Sequence, residues 1–434
     1  MEQLNSLSPL DGRYHTVTDS LRKYFSESAL IKYRTNLEML YLLHLLDFLE
    51  IPNSDFDFFE ISDDDVLKIK HIERSIRHDV KAVELFLREK INNKCILEFI
   101  HFGLTSQDVN SSSYVLSMKE ANQQIIIPEL EKMIGMILQK SEDWIQIPML
   151  SKTHGQPASP TTLGKELMVF VDRMQKQFNQ LKDFKYSTKF GGAVGNFNSH
   201  YIAYPEKDWI KFGDDFMESI GLKRNHFTTQ IDNYDNYSEM FDIFKRLATV
   251  MIDFCRDIWL YVSQDYFTQL NLRGEVGSSA MPHKINPINF ENAEGNLMMA
   301  VSLLEFMSRK LPISRLQRDL TDSTVLRNIG TCYGYFLIGV NSIMSGMRRI
   351  DVNRKEIKRD LENNQIVLAE AIQSILRKEG IENSYLLIKE MTRGDKFLDV
   401  EEMVVMLEEK GIEISEIGKS QIYNLDVHSY VGRF

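Results

Sequence analysis

Residues 274–287, GEVGSSAMPHKINP, combine groups that bind anions with groups that move protons. The adjacent Ser278 and Ser279 supply hydroxyl donors, and His283 and Lys284 add a titratable ring and a cation. Such a density of Gly, Ser and Pro indicates a loop, and long loops inside compact domains are often functional. The stretch therefore predicts a donor-rich loop that closes over an anion, directly before a long helix.

Three further polar clusters interrupt the helical sequence. Each mixes hydrogen-bond donors with titratable groups where a loop meets a helix, and helix N-termini suit anionic ligands. The clusters are RHDVKAVE (77–84) with HFGLTSQDVN (101–110), SKTHGQPASP (151–160) and SRLQRDLTDSTVLRN (314–328).

Each cluster also has a purely structural interpretation. His78 and Asp79 fit a helix-surface pair, and TSQD at 105–108 fits a capping box with Thr105 and Ser106 as candidate caps. THGQP fits a plain turn, although its histidine has no structural need there. The arginines of 314–328 fit either a solvated basic face or, beside their Asp and Ser neighbours, a phosphate or carboxylate site.

Composition bounds the class of protein. The 434 residues are 43% hydrophobic and 26% charged, which excludes collagenous and low-complexity chains. A formal net charge of −11 argues against general affinity for nucleic acid or anionic membrane. It does not exclude a locally basic pocket that binds a phosphate or carboxylate. We expect no nucleic-acid or membrane partner.

The cysteines and the N-terminus predict a cytoplasmic protein. Cys95, Cys255 and Cys332 are odd in number and form no CxxC pair, which fits a reducing compartment and gives no metal site. The first residues lack the basic and apolar regions of a signal peptide. No run approaches the roughly 20 apolar residues that span a bilayer.

Long helical periodicity predicts an all-α fold. Apolar residues recur every three or four positions within 115–144, 161–184, 239–262, 288–311 and 322–349. Helices of roughly 22 to 30 residues are about 33 to 45 Å long. In 239–262 the apolar stripe is too broad for one neighbour, so we predict a central bundle completed by other subunits; an interior helix of a monomeric bundle is the alternative.

Shorter helical patterns flank this bundle. We predict an N-terminal helical domain at 1–112, a central long-helix bundle domain at 113–349 and a C-terminal helical domain at 350–434.

GSSAMPHKIN contains the pattern G-S-x-x-M-x-x-K-x-N, and with it the chain resembles the fumarase and aspartase superfamily. The MPHK form is shared by adenylosuccinate lyases and the cycloisomerase branch. SKTHGQPA, RHDVKAVE, HFGLTSQD and an early SPLDGRY narrow the resemblance to the adenylosuccinate lyase family, especially its bacterial form. The resemblance runs from about residue 8 to about 350, with a family-like helical tail, and implies a three-domain fold whose central helices assemble into a tetrameric core.

The resemblance implies a β-elimination in purine biosynthesis. Such enzymes release fumarate from adenylosuccinate, giving AMP, and from the succinyl-carboxamide ribotide, giving its carboxamide, AICAR. Removing a proton from the carbon beside a carboxylate creates a dianionic, carbanion-like intermediate that needs fixed cations and N–H donors. No metal, flavin or nicotinamide cofactor is implied, since there is no GxGxxG after a strand and no HExxH.

By resemblance, Ser278 is the general base and His154 the general acid, on opposite faces of the substrate as an anti elimination requires. Side-chain chemistry alone favours His283, because a free hydroxyl is a poor base. Ser278 becomes credible as an alkoxide stabilised by loop N–H groups and Lys284.

The resemblance also assigns ligand contacts. Lys284 and Asn286 match residues that hold the succinyl carboxylate, with Ser279 as a further donor. Glu291 resembles the carboxylate that orients the catalytic histidine, His78 a histidine near the phosphate and the acid, and His101 is a weaker candidate. The residues matched to the nucleotide are Arg13, Tyr14, Arg77, His78, Asp79, Thr105, Ser106, Gln230, Asn292, Arg318, Ser323, Thr324 and Arg327.

In the superfamily these segments come from three subunits of a homotetramer, in agreement with the broad apolar stripes. Two other functions stay open: a sister lyase or cycloisomerase with a different substrate, and a catalytically inactive structural relative. DGRY and the Arg-rich segment indicate a phosphorylated ligand, which argues against a sister lyase or cycloisomerase. The intact Ser278, His154 and Lys284 argue against an inactive relative.

Overall fold

The computed structural model describes residues 2–52, 56–270, 280–281, 283–393 and 399–434, without the side chains of residues 2 and 3. Within those ranges the chain is predominantly helical, which confirms the predicted fold class. The helices of the first half are α1 His15–Thr18, α2 Arg22–Phe25, α3 Glu27–Phe48, α4 Asp63–Ile76, α5 Asp79–Lys90, α6 Ser106–Ala121, α7 Ile127–Asp143, α8 Leu163–Lys182, α9 Asn198–Ala203 and α10 Trp209–Ser219.

The second half continues the helical pattern. Its helices are α11 Asp235–Ser263, α12 Ile288–Lys310, α13 Thr321–Leu326, α14 Ile329–Met347, α15 Arg354–Glu362, α16 Ala369–Lys378, α17 Ser384–Thr392, α18 Val400–Glu409 and α19 Glu416–Tyr423. Short 3-10 turns occur at Glu2–Asn5, Asp19–Leu21, Leu97–Phe99 and Gln365–Leu368. In the described chain, no helix is both long and apolar enough to cross a membrane.

The longest described helix, α11, confirms the helical periodicity predicted for residues 239–262. Its 29 residues give a rod of about 43 Å. The predicted stripe is buried, but so are Phe241, Ala248 and Cys255, which broaden it. Trp259, the fourth residue that broadens the stripe, is 42% exposed. The single chain thus covers most of the broad stripe but not all of it, and its completion by other subunits stays a prediction.

One predicted helix, 115–144, has a local irregularity with an identifiable cause. Between α6 and α7 lies a π-helical segment, Asn122–Ile126, and Pro128 follows it in the first turn of α7. Proline has no N–H to donate to the carbonyl four residues earlier, and its ring crowds that carbonyl. A wider local turn relieves both problems without ending the rod.

The few strands form three small sheets. In the first, β1 Pro148–Thr153 pairs antiparallel with β2 Gln156–Thr162. The second pairs β3 Ser187–Lys189 with β4 Lys223–Asn225 in parallel, and the third pairs β5 Phe267–Gln269 with β6 Ile350–Val352 antiparallel.

Two compact units divide the chain. Unit 1 contains Met1–Lys132, Lys176–Ile252 and Asn292–Ser342, and unit 2 contains Met133–Gln175, Asp253–Glu291 and Ile343–Phe434. One apolar cluster of unit 1 packs α3 against α4 and α5, and one of unit 2 joins α16 to α18 and α19. The division into three domains at 112 and 349 stays a prediction.

Candidate functional site

His154 lies at the tip of the hairpin between β1 and β2. Thr153 pairs with Gln156, so the turn consists of His154 and Gly155, with φ of +53° and +73°. A two-residue turn with two positive φ values normally takes Asn-Gly, because β-carbons are disfavoured there. The turn interpretation of THGQP is thus confirmed, and the turn displays an exposed imidazole in a backbone conformation that favours other residues. Such strain often marks functional positions.

His78 connects α4 to α5. Arg77 ends α4 with φ of +56°, and His78 then caps α5, its Nδ1 accepting a hydrogen bond of 3.1 Å from the backbone N–H of Lys81. In the neutral ring the proton therefore lies on Nε2. Because the side chain is exposed, this N–H is available to a ligand. His78 is a helix cap as well as the surface neighbour of Asp79.

Asp79 joins two arginines from distant segments. Its Oδ2 lies 2.8 Å from Nη2 of Arg34 and 3.8 Å from Nη2 of Arg327. Burial opposes ionisation, but Arg34 and the N–H of Val80, with Arg327, hold the pKa of Asp79 below its usual value. Arg34 is only 3% exposed, whereas Arg327 remains 44% exposed. The Asp79 carboxylate thus compensates the charge of the buried Arg34, while the exposed guanidinium of Arg327 remains within reach of an anion.

Arg34 was missed by the sequence argument. It lies among the buried residues of α3, where it also donates to Asn110. The available signal was an arginine at helical spacing from the apolar Leu30, Ile31 and Leu37, since a buried charge needs a buried partner.

Tyr14 brings the N-terminal segment onto α12. Its hydroxyl accepts a 2.9 Å hydrogen bond from Nδ2 of Asn292. Burial alone would raise the pKa of Tyr14. Hydrogen bonds from Asn296, Asn292 and Arg13 together outweigh burial, so the pKa of Tyr14 lies below its usual value. The structure therefore unites the predicted residues Arg13, Tyr14 and Asn292, and it adds Asn296, which sequence reasoning did not identify.

Thr105 is confirmed as the cap of α6, and Ser106 is its first residue. The Asp108 carboxylate accepts the Thr105 N–H at 2.8 Å. It also accepts from the Lys189 ammonium at 2.6 Å and from the N–H groups of Gly191 and Gly192. Asp108 and Lys189 are fully buried, so this charged pair has the multiple hydrogen bonds that a buried pair requires.

The Arg-rich segment has spare donor capacity. Nη2 of Arg318 lies 3.7 Å from Oδ1 of Asp322, which accepts the Ser323 N–H at 2.7 Å. Nε of Arg318 is buried and has no hydrogen-bond partner in the described chain. Thr324 is exposed on α13, and Gln230 is half-buried in the segment before α11. This arrangement fits the predicted anion site better than a fully solvated face.

The stretch at 274–287 immediately precedes α12, which begins at Ile288. Ser278 and Ser279 lie outside the described residues. Lys284 is exposed, and Asn286 is half-buried just before the helix. Glu291 accepts a 3.1 Å hydrogen bond from Nε1 of Trp259. Within the described residues, the partner of Glu291 is thus an indole, and its role in orienting the catalytic histidine stays a prediction.

His101 forms an ion pair with the buried Glu38. Its Nδ1 lies 2.5 Å from Oε1 of Glu38, which has no solvent exposure. Burial lowers the pKa of His101, but Glu38, with smaller contributions from Glu84 and Asp108, outweighs it and raises the pKa. His101 therefore has a structural role in this chain, whatever its distance from substrate.

The Glu38 to Gln change, E38Q, is expected to lower the free energy of unfolding by about 2 kcal/mol at pH 6 and by less at pH 9. A raised folded pKa contributes stability that is present below the unfolded value of about 6.5 and is lost as pH rises through the folded value. Denaturant unfolding at both pH values measures the difference.

Glu98→Gln is the matched control, because Glu98 forms an exposed ion pair with Arg88. We expect this control to change stability little at either pH. An E38Q deficit that grows with pH would contradict the charged His101–Glu38 pair.

The predicted residues thus divide between the two units. Unit 1 contains three groups: Arg13 with Tyr14 and Asn292, Asp79 with Arg327, and Arg318 with Ser323 through Asp322. Arg327 also lines a cavity of about 260 Å³ with Asp11, Arg22 and Thr331. Unit 2 contains His154, Lys284, Asn286 and Glu291.

Two family models match the chain over most of its length. A model described as Lyase matches residues 55–301, and one described as Adenylosuccinate lyase C-terminal matches residues 314–431.

Curated relatives match it from end to end. Adenylosuccinate lyase of Dictyostelium discoideum is 44% identical, covering 100% of this chain and 97% of the relative. The Vibrio cholerae enzyme of the same name is also 44% identical, covering 100% and 98%, and that of Escherichia coli is 42% identical with the same coverage.

Solved structures share the fold at low identity. A fumarate lyase from a Mesorhizobium species has a TM-score of 0.76 and 15% identity, covering 95% of each chain. The 3-carboxy-cis,cis-muconate lactonizing enzyme from Pseudomonas putida has a TM-score of 0.74 and 19% identity, covering 95% of this chain and 94% of that one.

Proposed function

Because this chain belongs to the adenylosuccinate lyase family, we propose that it eliminates fumarate from adenylosuccinate, giving AMP, and from the succinyl-carboxamide ribotide, giving AICAR. The observation that carries the proposal is 44% identity to an adenylosuccinate lyase over the entire chain. The intact GSSAMPHKIN motif supports it. We place the enzyme in the cytoplasm, where purine nucleotides are made.

Ser278 is the proposed general base. Its alkoxide takes the proton from the carbon beside the succinyl carboxylate, and the electron pair left behind spreads into that carboxylate. Lys284 and Asn286 bind the carboxylate and stabilise the added charge. The exposed ammonium of Lys284, just before α12, supports this role.

His154 is the proposed general acid. As the C–N bond breaks, its electrons pass to the leaving nitrogen, which takes a proton from the imidazole, and fumarate and AMP result. The exposed position of His154 at a tight turn supports this role, because the hairpin limits the movement of the backbone that carries the ring.

The phosphate is proposed to bind unit 1. Arg327 and Arg318 offer guanidinium donors that are not fully paired, and guanidinium groups suit bidentate contacts to phosphate oxygens. The Nε2–H of His78 adds a further donor. The Asp79 carboxylate supports this arrangement because it neutralises the buried Arg34. Repulsion between the guanidinium groups of Arg34 and Arg327 is thereby reduced.

A homotetramer with shared active sites is also proposed. Positions 288, 295, 298, 299, 302 and 306 of α12 recur at helical spacing and are exposed in the single chain. They include Met298 at 48% and Phe306 at 46% exposure, while Leu297 and Leu304 on the other face are buried. An exposed apolar face on a long helix is typical of a subunit interface.

Replacing both Met298 and Phe306 with Glu is expected to convert a tetramer of about 200 kDa to smaller species and to abolish turnover. Burying two carboxylates between subunits is unfavourable, and incomplete sites cannot act. Light scattering measures the mass. Leu386→Glu is the control: Leu386 is 59% exposed on α17, and we expect its replacement to leave the mass unchanged. An intact tetramer in the double variant would contradict the assignment of this face.

Incubation with adenylosuccinate tests the function directly. We expect the ultraviolet absorbance to change as AMP and fumarate form in equal amounts. Absence of both products would refute the proposal. A carboxymuconate substrate tests the cycloisomerase alternative, and we expect no reaction, because the likeness to that enzyme is one of fold at 19% identity. Turnover of adenylosuccinate would also exclude an inactive structural relative.

A further inference from the structure

Tyr234 links two segments that contain predicted ligand residues. The TTQID segment, residues 228–232, contains Gln230 and immediately precedes α11; the second segment, 314–328, contains Arg318 and Ser323. The phenol of Tyr234 is completely buried, and its hydroxyl donates a 2.8 Å hydrogen bond to Oδ2 of Asp322. The ring thus spans the space between the two segments.

The backbone of Tyr234 has an unusual conformation. Its φ is +61°, in the left-handed region that a bulky side chain rarely adopts. Its N–H donates a 2.7 Å hydrogen bond to Oδ1 of Asp232, whose Oδ2 accepts from Asn225 at 3.1 Å. Burial raises the pKa of Asp232 to about 6. A disfavoured backbone held by a buried carboxylate indicates that the surrounding structure determines this conformation.

At the other end of the Tyr234 side chain, Asp322 contacts two residues of the segment 314–328. Its Oδ1 accepts the Ser323 N–H and lies 3.7 Å from Arg318, while its Oδ2 accepts the Tyr234 hydroxyl. Asp322 is buried, so its orientation depends on these partners. The hydroxyl of Tyr234 therefore fixes the carboxylate that positions the guanidinium of Arg318 and the N–H of Ser323.

We infer that Tyr234 is a positioning residue, which acts through Asp322 to hold Arg318 and Ser323 in place for the phosphate end of the substrate. This inference rests on the proposed function. It concerns binding rather than bond breaking, because the phosphate takes no part in the elimination. Loss of the hydroxyl should weaken ground state and transition state equally, which raises KM and leaves kcat nearly unchanged.

Tyr234→Phe and Tyr237→Phe form a matched pair. Tyr237 is also completely buried, its ring centroid lies 5.1 Å from that of Tyr234, and its hydroxyl donates to the carbonyl of Ser111 at 3.1 Å. Each change removes one oxygen from a buried phenol and retains the ring. Of the two hydroxyls, that of Tyr234 donates to Asp322 and that of Tyr237 donates to Ser111, so the Tyr234 variant alone should affect residues 314–328.

The experiment measures KM and kcat for adenylosuccinate, the dissociation constant of AMP, and thermal stability. We expect Tyr234→Phe to raise KM and the AMP dissociation constant about tenfold, with kcat within about twofold. Tyr237→Phe should change all three by less than about twofold, even if its stability falls as much.

Equal effects on KM in the two variants, or none in Tyr234→Phe, would overturn the inference, as would a loss of kcat at unchanged KM. A wild-type enzyme that does not cleave adenylosuccinate would instead refute the proposed function, and this inference with it. An active wild type with unchanged AMP affinity in Tyr234→Phe would overturn the inference alone.

Discussion

Replacing Ser278 with Ala is expected to lower kcat by about 10³-fold or more while leaving the assembly intact, because the variant has no group to take the proton from carbon. The change removes a single oxygen, so we expect folding and substrate affinity to be retained. The rate at which adenylosuccinate absorbance falls at saturating substrate gives kcat. Light scattering gives the mass of the assembly.

Ser279→Ala is the matched control, one residue away in the same sequence motif. As a proposed donor to the succinyl carboxylate, Ser279 should affect KM more than kcat, and we expect kcat to remain within about tenfold of wild type. A Ser278→Ala enzyme with unchanged kcat would refute the assigned base, and His283 would then be the next residue to replace.

Replacing His154 with Asn is expected to lower kcat by about 10² to 10⁴-fold, the usual contribution of a positioned general acid. Asn suits this position because it tolerates the left-handed conformation found at φ of +53°. The variant therefore removes the imidazole while preserving the turn between β1 and β2. Steady-state kinetics at saturating substrate measures the effect.

Two further variants separate ring chemistry from turn geometry. His154→Ala removes the ring and also disfavours the positive φ, so we expect it to be at least as impaired as His154→Asn. His428→Asn replaces a histidine of unit 2 that contacts Glu362, and we expect full activity. Retained turnover in His154→Asn combined with loss in His154→Ala would assign the role to the backbone.

Most of the fold follows from short-range sequence patterns. The periodicity of residues 161–184 and 288–311 predicts α8 and α12 to within two residues, because one apolar face decides a long helix. TSQD correctly predicts the cap of α6, since capping needs only four consecutive residues. The helix predicted at 322–349 forms as α13 and α14, with a break at 327–328.

The pairings inside the candidate site depend on residues far apart in sequence. Arg34 meets Asp79 across 45 positions, and Tyr234 meets Asp322 across 88. No local pattern encodes such a partner, and a buried tyrosine or arginine is compatible with many. The proposed role of Ser278 rests on family resemblance, because the basicity of a hydroxyl depends on surroundings that a sequence does not display.

The buried carboxylate of Asp108 has a consequence for the order in which the chain assembles. It joins residues 105–108 to residues 189–192, more than 80 positions later, through donors that arrive together on one turn. Until that turn docks, the carboxylate must keep its hydration shell, because partial burial leaves a charge without partners. Docking is therefore cooperative, and the amide hydrogens of Gly191 and Gly192 exchange with solvent only when the two segments separate. The start of α6 and this distant turn behave as one folding unit.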